Sequence, residues 1–189
     1  MRQFLMLLML AFGLGISAQS ADKLYEDGKK LYDAKNYTEA VPKLRAAAEK
    51  GHKKAQYRLG RCYSKGHGVE ENDRTAFEWY MKAAKQGSAK AQYQLGKSYK
   101  NGSGVEKDRK KAVEWFEKAA KQDNGEAQLA LGKAYLKGKG VTADAAKARQ
   151  WLKKAVNNSK DGKDILDELR KEKADGDVDA IEILEIVGK

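Results

Sequence analysis

Residues 91–120 read AQYQLGKSYKNGSGVEKDRKKAVEWFEKAA. The same phrase stands 36 residues earlier, over 55–84, as AQYRLGRCYSKGHGVEENDRTAFEWYMKAA. It returns 36 residues later, over 127–156, as AQLALGKAYLKGKGVTADAAKARQWLKKAV. Leu59-Gly60, Leu95-Gly96 and Leu131-Gly132 line up, as do Tyr63, Tyr99 and Tyr135, then Trp79, Trp115 and Trp151. A constant period of this length marks a stacked array, in which one unit alone cannot bury its apolar face.

Within one copy the apolar spacing is helical. Ala55, Leu59, Cys62 and Tyr63 fall at i, i+4, i+7 and i+8, one stripe of a 3.6-residue helix. Gly66 and Gly68 end it, because glycine tolerates the positive φ that a tight exit requires. Val69 returns an apolar anchor. Asn72, Asp108 and Asp144 are expected N-caps for the second helices. Ala76, Trp79, Tyr80 and Ala83 are its expected buried face, and Gly87 closes it. The unit is a helix–turn–helix hairpin with small residues at the contacts and Tyr63 and Trp79 filling the gaps.

A variant copy comes first. Gly28, Leu31 and Tyr32 open it, and Ala40, Leu44 and Ala47 mark its second helix. Its loop is shorter by four residues, since Gly28 to Gly60 is 32 rather than 36. Thr38 is the expected cap there, which puts Pro42 in the first turn, where its missing N–H costs little. After Val156 the pattern decays into Ile165, Leu166 and Leu169, then Ala180 to Leu184. Terminal repeats of such arrays depart from the consensus because they cap the core.

The chain has 189 residues, with 38 Lys+Arg against 27 Asp+Glu and a net charge of +11. Met1 to Ala18 reads as a secretory signal: Arg2, the apolar run Phe4 to Leu14, and Ile16-Ser17-Ala18 before the cut. That run falls short of the roughly 20 apolar residues a membrane span needs. The expected location is therefore the periplasm or the exterior, with no stable membrane insertion. The lysines are interspersed with acids along every helix, the pattern of solvated faces. Together with export this argues against nucleic acid and for an acidic protein, an anionic polymer or a membrane surface. Cys62 is the single cysteine. It aligns with Ser98 and Ala134, so it reads as a buried packing residue.

The string Ala91-Gln92-Tyr93-Gln94-Leu95-Gly96, followed by Tyr99, Gly102, Gly104-Val105, Asp108, Ala112, Trp115-Phe116 and Lys118-Ala119-Ala120, closely resembles the Sel-1-like repeat family of the tetratricopeptide superfamily. The resemblance implies an all-α, right-handed superhelical solenoid that serves as a scaffold for protein–protein contact. It divides the chain into a signal over 1–18, a repeat domain over 22–158 and capping helices over 159–189. The repeat domain holds one tetratricopeptide-like hairpin, 22–52, and three Sel-1-like repeats, 53–88, 89–124 and 125–158. A cysteine-rich branch of the family is associated with β-lactam binding or hydrolysis. It carries a cysteine pair in each repeat, which this chain lacks.

No nucleophile elbow, zinc-protease helix or phosphate loop is present. The Gly-x-Gly-Val loops look like phosphate cradles but recur between helices with no strand before them, so they read as structural turns. His52 and His67 are the only histidines, short of the ligands a zinc site takes, and read as solvated surface residues. No metal, cofactor or enzymatic activity is expected.

A second stripe on the first helices is more informative. Tyr57, Arg61, Ser64 and Lys65 repeat the i, i+4, i+7, i+8 spacing, rotated away from Leu59. The next copies place Tyr93, Lys97, Lys100 and Asn101 there, then Leu129, Lys133, Leu136 and Lys137; the variant copy offers Tyr25 and Lys29. By resemblance the first helices line a concave groove. The expected partner site is thus Tyr25, Lys29, Tyr57, Arg61, Lys65, Tyr93, Lys97, Asn101, Lys133 and Lys137. Ammonium and guanidinium groups bind carboxylates through charge-assisted hydrogen bonds, and tyrosine adds apolar area with a polar tip. The reading is a basic groove for an acidic or C-terminal peptide. Its alternatives are an envelope β-lactam-recognising protein and a wall-associated structural module.

Overall fold

The computed structural model describes residues 19–188; the expected signal lies outside them. The described residues form ten α-helices and no strand. They fall into two compact units, one ending at Asn72 and the other beginning at Asp73.

The first unit contains α1 (Ala21–Asp33), α2 (Tyr37–Glu49) and α3 (Lys53–Tyr63). The first helix packs on the second and the second on the third. Leu24, Leu44, Leu59 and Cys62 are fully buried. Gly28 sits so close to Leu44 that an added Cβ would lie 2.9 Å from its Cγ. Ser20 caps α1 by accepting from the Lys23 N–H. The cap of α2 is Asn36 rather than Thr38, so Pro42 stands in the second turn, inside the helix. Its missing N–H costs the helix one bond to the Thr38 carbonyl, and Thr38 is exposed, so the proline lies on a face where that loss is tolerable.

The second unit contains α4 (Asp73–Lys85), α5 (Ala89–Asn101), α6 (Arg109–Ala120), α7 (Gly125–Lys137), α8 (Ala145–Val156), α9 (Gly162–Ala174) and α10 (Val178–Val187). Each helix packs against the next, and α10 folds back on α8. Glycines on the first helices admit bulky side chains of the second: Gly96 lies against Phe116 and Gly132 against Leu152. Asp108 and Asp144 cap α6 and α8, accepting from the N–H groups of Lys111 and Lys147. The C-terminal helices have their own core, in which Ile165, Leu169, Ile183 and Leu184 close over Leu152 and Val156.

Two devices recur with the period. A buried glutamine on each first helix donates to a carbonyl in the last turn of the preceding helix: Gln56 to Ala48 at 3.1 Å, Gln92 to Ala84 at 3.3 Å, Gln128 to Ala120 at 3.4 Å. Each of these carbonyls also accepts the backbone N–H three residues on, from Gly51, Gly87 and Asp123, so the glutamine takes up the second acceptor position of the oxygen and ties one helix to the next. The second device is the Gly-x-Gly loop. Gly68, Gly104 and Gly140 hold φ of 72°, 70° and 86° and lie too close to the backbone of Tyr37, Asp73 and Arg109, respectively, for any side chain. The loop is a docking point on the start of the preceding second helix.

Two further expectations fail. The tryptophans are half-buried, while Ala76, Tyr80 and Ala83 are core. Lysine three residues on lies over each indole: Lys82 at 3.9 Å from the Trp79 centroid, Lys118 at 4.1 Å from Trp115, Lys154 at 4.8 Å from Trp151. The histidines are not solvated surface groups. Nδ1 of His52 accepts from the Ala55 N–H and caps α3, while its ring stacks on Tyr25 at 4.3 Å. His67 stacks on Tyr37 at 4.2 Å and meets the Tyr32 hydroxyl at 3.2 Å.

Candidate functional site

In the first unit the ladder is knitted into the fold by arginine. Tyr25 is 6% exposed; its ring backs the His52 cap and its hydroxyl accepts from Arg58 Nε at 3.4 Å. It is an internal packing residue, which corrects its expected place beside the row. Lys29 is half-buried and reaches Glu26 at 4.0 Å. Arg61 lays its guanidinium over Tyr32 at 5.8 Å. Tyr57 is half-buried, and Lys65 is exposed beyond the end of α3. Arg58, absent from the expected site, lies over Tyr25 and Tyr32 and bonds Asp33 at 3.1 Å. Its register is held by Gln94 and Ala130 in the later copies, so periodicity gives no signal for it.

In the second unit the stripe converges on a cavity of about 280 Å³. Tyr93, Lys133 and Lys137 line it, joined by Lys100, Arg109 and Lys139. Phe116 and Leu129 supply apolar lining, and the Tyr93 and Phe116 rings lie 5.9 Å apart. Lys97 is half-buried with its ammonium 5.6 Å from the Tyr93 ring, and Asn101 is exposed; neither lines the cavity. Arg109 and Lys139 come from a second helix and a loop, registers the first-helix stripe does not contain.

The electrostatics are those of crowded cations. Burial and the like charges of Lys97, Lys133 and Lys139 hold the Lys100 ammonium below its ordinary pKa. Glu126 is pushed above the usual carboxylate range, chiefly by burial, with Lys97 opposing. Lys137 already holds two carboxylates of α10, Glu182 at 2.7 Å and Asp179 at 3.0 Å. These hydrogen bonds raise the Lys137 pKa and lower that of Asp179. Asp179 itself lines the cavity. The arrangement can bind carboxylates beside an apolar floor.

Cys62 is fully buried, and burial pushes its thiol up to about 11, against the opposing influence of Arg61 and Arg58. Among the described residues no group of three or more His, Cys, Asp or Glu side chains could hold a metal ion. No helix among them is long and apolar enough to cross a membrane.

The paired helices and their recurring contacts are those of a helical-repeat protein. The Sel1 repeat model matches residues 53–88, 89–124 and 125–159, and the chain belongs to the Sel1 repeat family. Such repeats typically form protein-interaction modules and are generally non-enzymatic. A Sel1 repeat protein from Oxalobacter formigenes is 38% identical, covering 72% of this chain and 56% of its own, with a TM-score of 0.69. A protective antigen present in uropathogenic Escherichia coli strains, displaying an SLR fold, is 31% identical with a TM-score of 0.75; the match covers 93% of this chain and 39% of that one. An exopolysaccharide production negative regulator of Rhizobium meliloti is 38% identical over 71 residues, 37% of this chain. The match spans 26% of that curated relative's length.

Proposed function

We propose that this protein is an exported, non-enzymatic scaffold that holds an acidic segment of a partner protein against the basic stripe of its first helices. The carrying observation is the cavity of the second unit, where Tyr93, Lys133 and Lys137 meet Lys100, Arg109 and Lys139. Its aromatic floor suits an apolar side chain, and its cationic rim suits flanking carboxylates. The pairing of Lys137 with Glu182 and Asp179 supports the reading, since the chain's own carboxylates use that rim.

In this reading Lys97 and Asn101 extend the second unit's surface beyond the cavity, and Lys29, Tyr57, Arg61 and Lys65 offer a basic surface of the first unit's own. The name of the Rhizobium meliloti relative is compatible with a scaffold that regulates a partner by holding it. Export rests on the N-terminal apolar run alone, and a periplasmic or secreted location follows from it.

Fluorescence anisotropy with a labelled peptide of alternating Glu and Leu tests the reading. Wild type should bind it, with affinity falling as salt rises. Lys133→Glu should weaken binding by about tenfold or more with helicity unchanged. Equal binding by wild type and Lys133→Glu would remove the cavity from the account.

A further inference from the structure

The half-buried tryptophans lie on the second helices, away from the first-helix stripe, and the last of them opens onto a recess of about 700 Å³. Trp151 lines this recess with Lys121, Lys153, Lys154, Asn157 and Ser159. The three lysines, Asn157 and Ser159 are all exposed. Asp123 is the one carboxylate of the lining. Its Oδ1 accepts from Gln128 and Asn158, at 3.1 and 3.0 Å, so the floor of the recess is held by a part-buried polar network.

The chemistry of these groups is selective. An indole face offers a flat apolar platform. Here it is covered on one side by the ammonium of Lys154, at 4.8 Å, a contact that is weak at an exposed site. Asparagine and serine supply hydrogen bonds to hydroxyl groups. The three ammonium groups supply charge-assisted bonds to carboxylates. Asp123 accepts from hydroxyls and repels carboxylate and phosphate alike, so the anionic groups of a ligand fall to the three lysines.

We propose that this recess binds an anionic oligosaccharide, a sugar chain whose rings carry carboxylates. The C–H face of one ring takes the place of Lys154 over Trp151. The displaced ammonium then turns to that ring's carboxylate, while Lys121 and Lys153 hold the carboxylates of neighbouring rings. Asn157 and Ser159 fix the hydroxyls. The same indole–ammonium pair stands at Trp115/Lys118 and Trp79/Lys82 within this unit, so a longer chain meets the same exchange at successive repeats. The site is separate from the acidic-peptide cavity, and neither reading depends on the other.

Isothermal titration of the full chain with tetragalacturonate, read in parallel by tryptophan fluorescence, tests this. Binding is expected with Kd of about 1 mM or tighter, and maltotetraose, the neutral counterpart, should bind about tenfold more weakly. Lys121→Glu with Lys154→Glu should weaken tetragalacturonate by about tenfold, as should Trp151→Phe, while Lys133→Glu in the other cavity leaves it unchanged. Both lysine positions are exposed, so the double variant keeps the test valid if Trp151→Phe unfolds. No binding at several times the expected Kd overturns the proposal. So does equal or tighter binding of hexaglutamate or a thymidine oligonucleotide, or full retention of binding in the double lysine variant.

Discussion

Lys137 and Glu182 meet at 2.7 Å across 45 positions of sequence. The pair joins the last basic rung of the first-helix stripe to the capping helix α10, and Asp179 adds a second carboxylate at 3.0 Å. An acidic guest must compete with these groups for the same ammonium. Asp179→Asn with Glu182→Gln should therefore raise the affinity for an acidic peptide by about two- to fivefold at low salt, the scale of exposed ion pairs. Anisotropy titration measures it; unchanged affinity would place Lys137 outside the binding surface.

The repeating glutamine is the strongest stability prediction. Gln128 is 3% exposed and donates to Ala120, and its own Oε1 accepts from Asn158 at 3.2 Å. Gln128→Ala removes three buried or part-buried hydrogen bonds at once, to the Ala120 carbonyl, to Asp123 and from Asn158, while the carbonyl and the Asn158 amide keep their bonds to Asp123. A loss of about 1–3 kcal/mol is expected, read from the urea midpoint.

A good part of this was legible beforehand because it repeats. The hairpins, the Asp108 and Asp144 caps and the buried Cys62 follow from residue type at fixed spacing. The half-burial of Trp79 did not, since periodicity marks a stripe but not its edge, and the lysine that covers the ring lies three residues on. The cavity was legible in part. Tyr93, Lys133 and Lys137 share one helical register, whereas Arg109 and Lys139 arrive from other elements. The role of Gln92 stayed hidden because a polar residue beside an alanine gives no sign of the carbonyl awaiting it in the previous helix.

The Gly-x-Gly loops should resist any side chain. Gly140 has φ of 86° and abuts the Arg109 carbonyl. Gly140→Ala combines a left-handed strain with a backbone collision and should destabilise by about 2–3 kcal/mol. Gly176, with φ of 85° but open space around it, is the control: Gly176→Ala meets only the backbone strain, about 1 kcal/mol. Thermal denaturation of both variants makes the comparison.

His52 gives the first unit a pH dependence. Burial holds its imidazole below the ordinary 6.5, with Asp22 opposing. The unfolded chain therefore binds the proton more readily than the folded one. The contribution is fully present above 6.5 and is lost as pH falls through the lower folded value. Protonation also removes the Nδ1 acceptor that caps α3. Protection factors of the α3 amides, taken relative to the intrinsic exchange rate at each pH, should fall between neutral and mildly acidic pH. His52→Asn, which keeps a capping oxygen, should abolish that fall.

Cys62 should be silent. A fully buried thiol raised to about 11 presents almost no thiolate at pH 8. A disulfide reagent should label it only after denaturant is added, at the rate of unfolding.

The central claim is that the basic first-helix stripe receives an acidic guest. Amide and side-chain chemical shifts followed during titration with the Glu/Leu peptide address it most directly. The account predicts saturating shifts at Tyr93, Lys100, Arg109, Lys133 and Lys137, with little change at Trp115 and Trp151. Shifts confined to the second-helix tryptophans, or absent from the cavity at saturation, would contradict it.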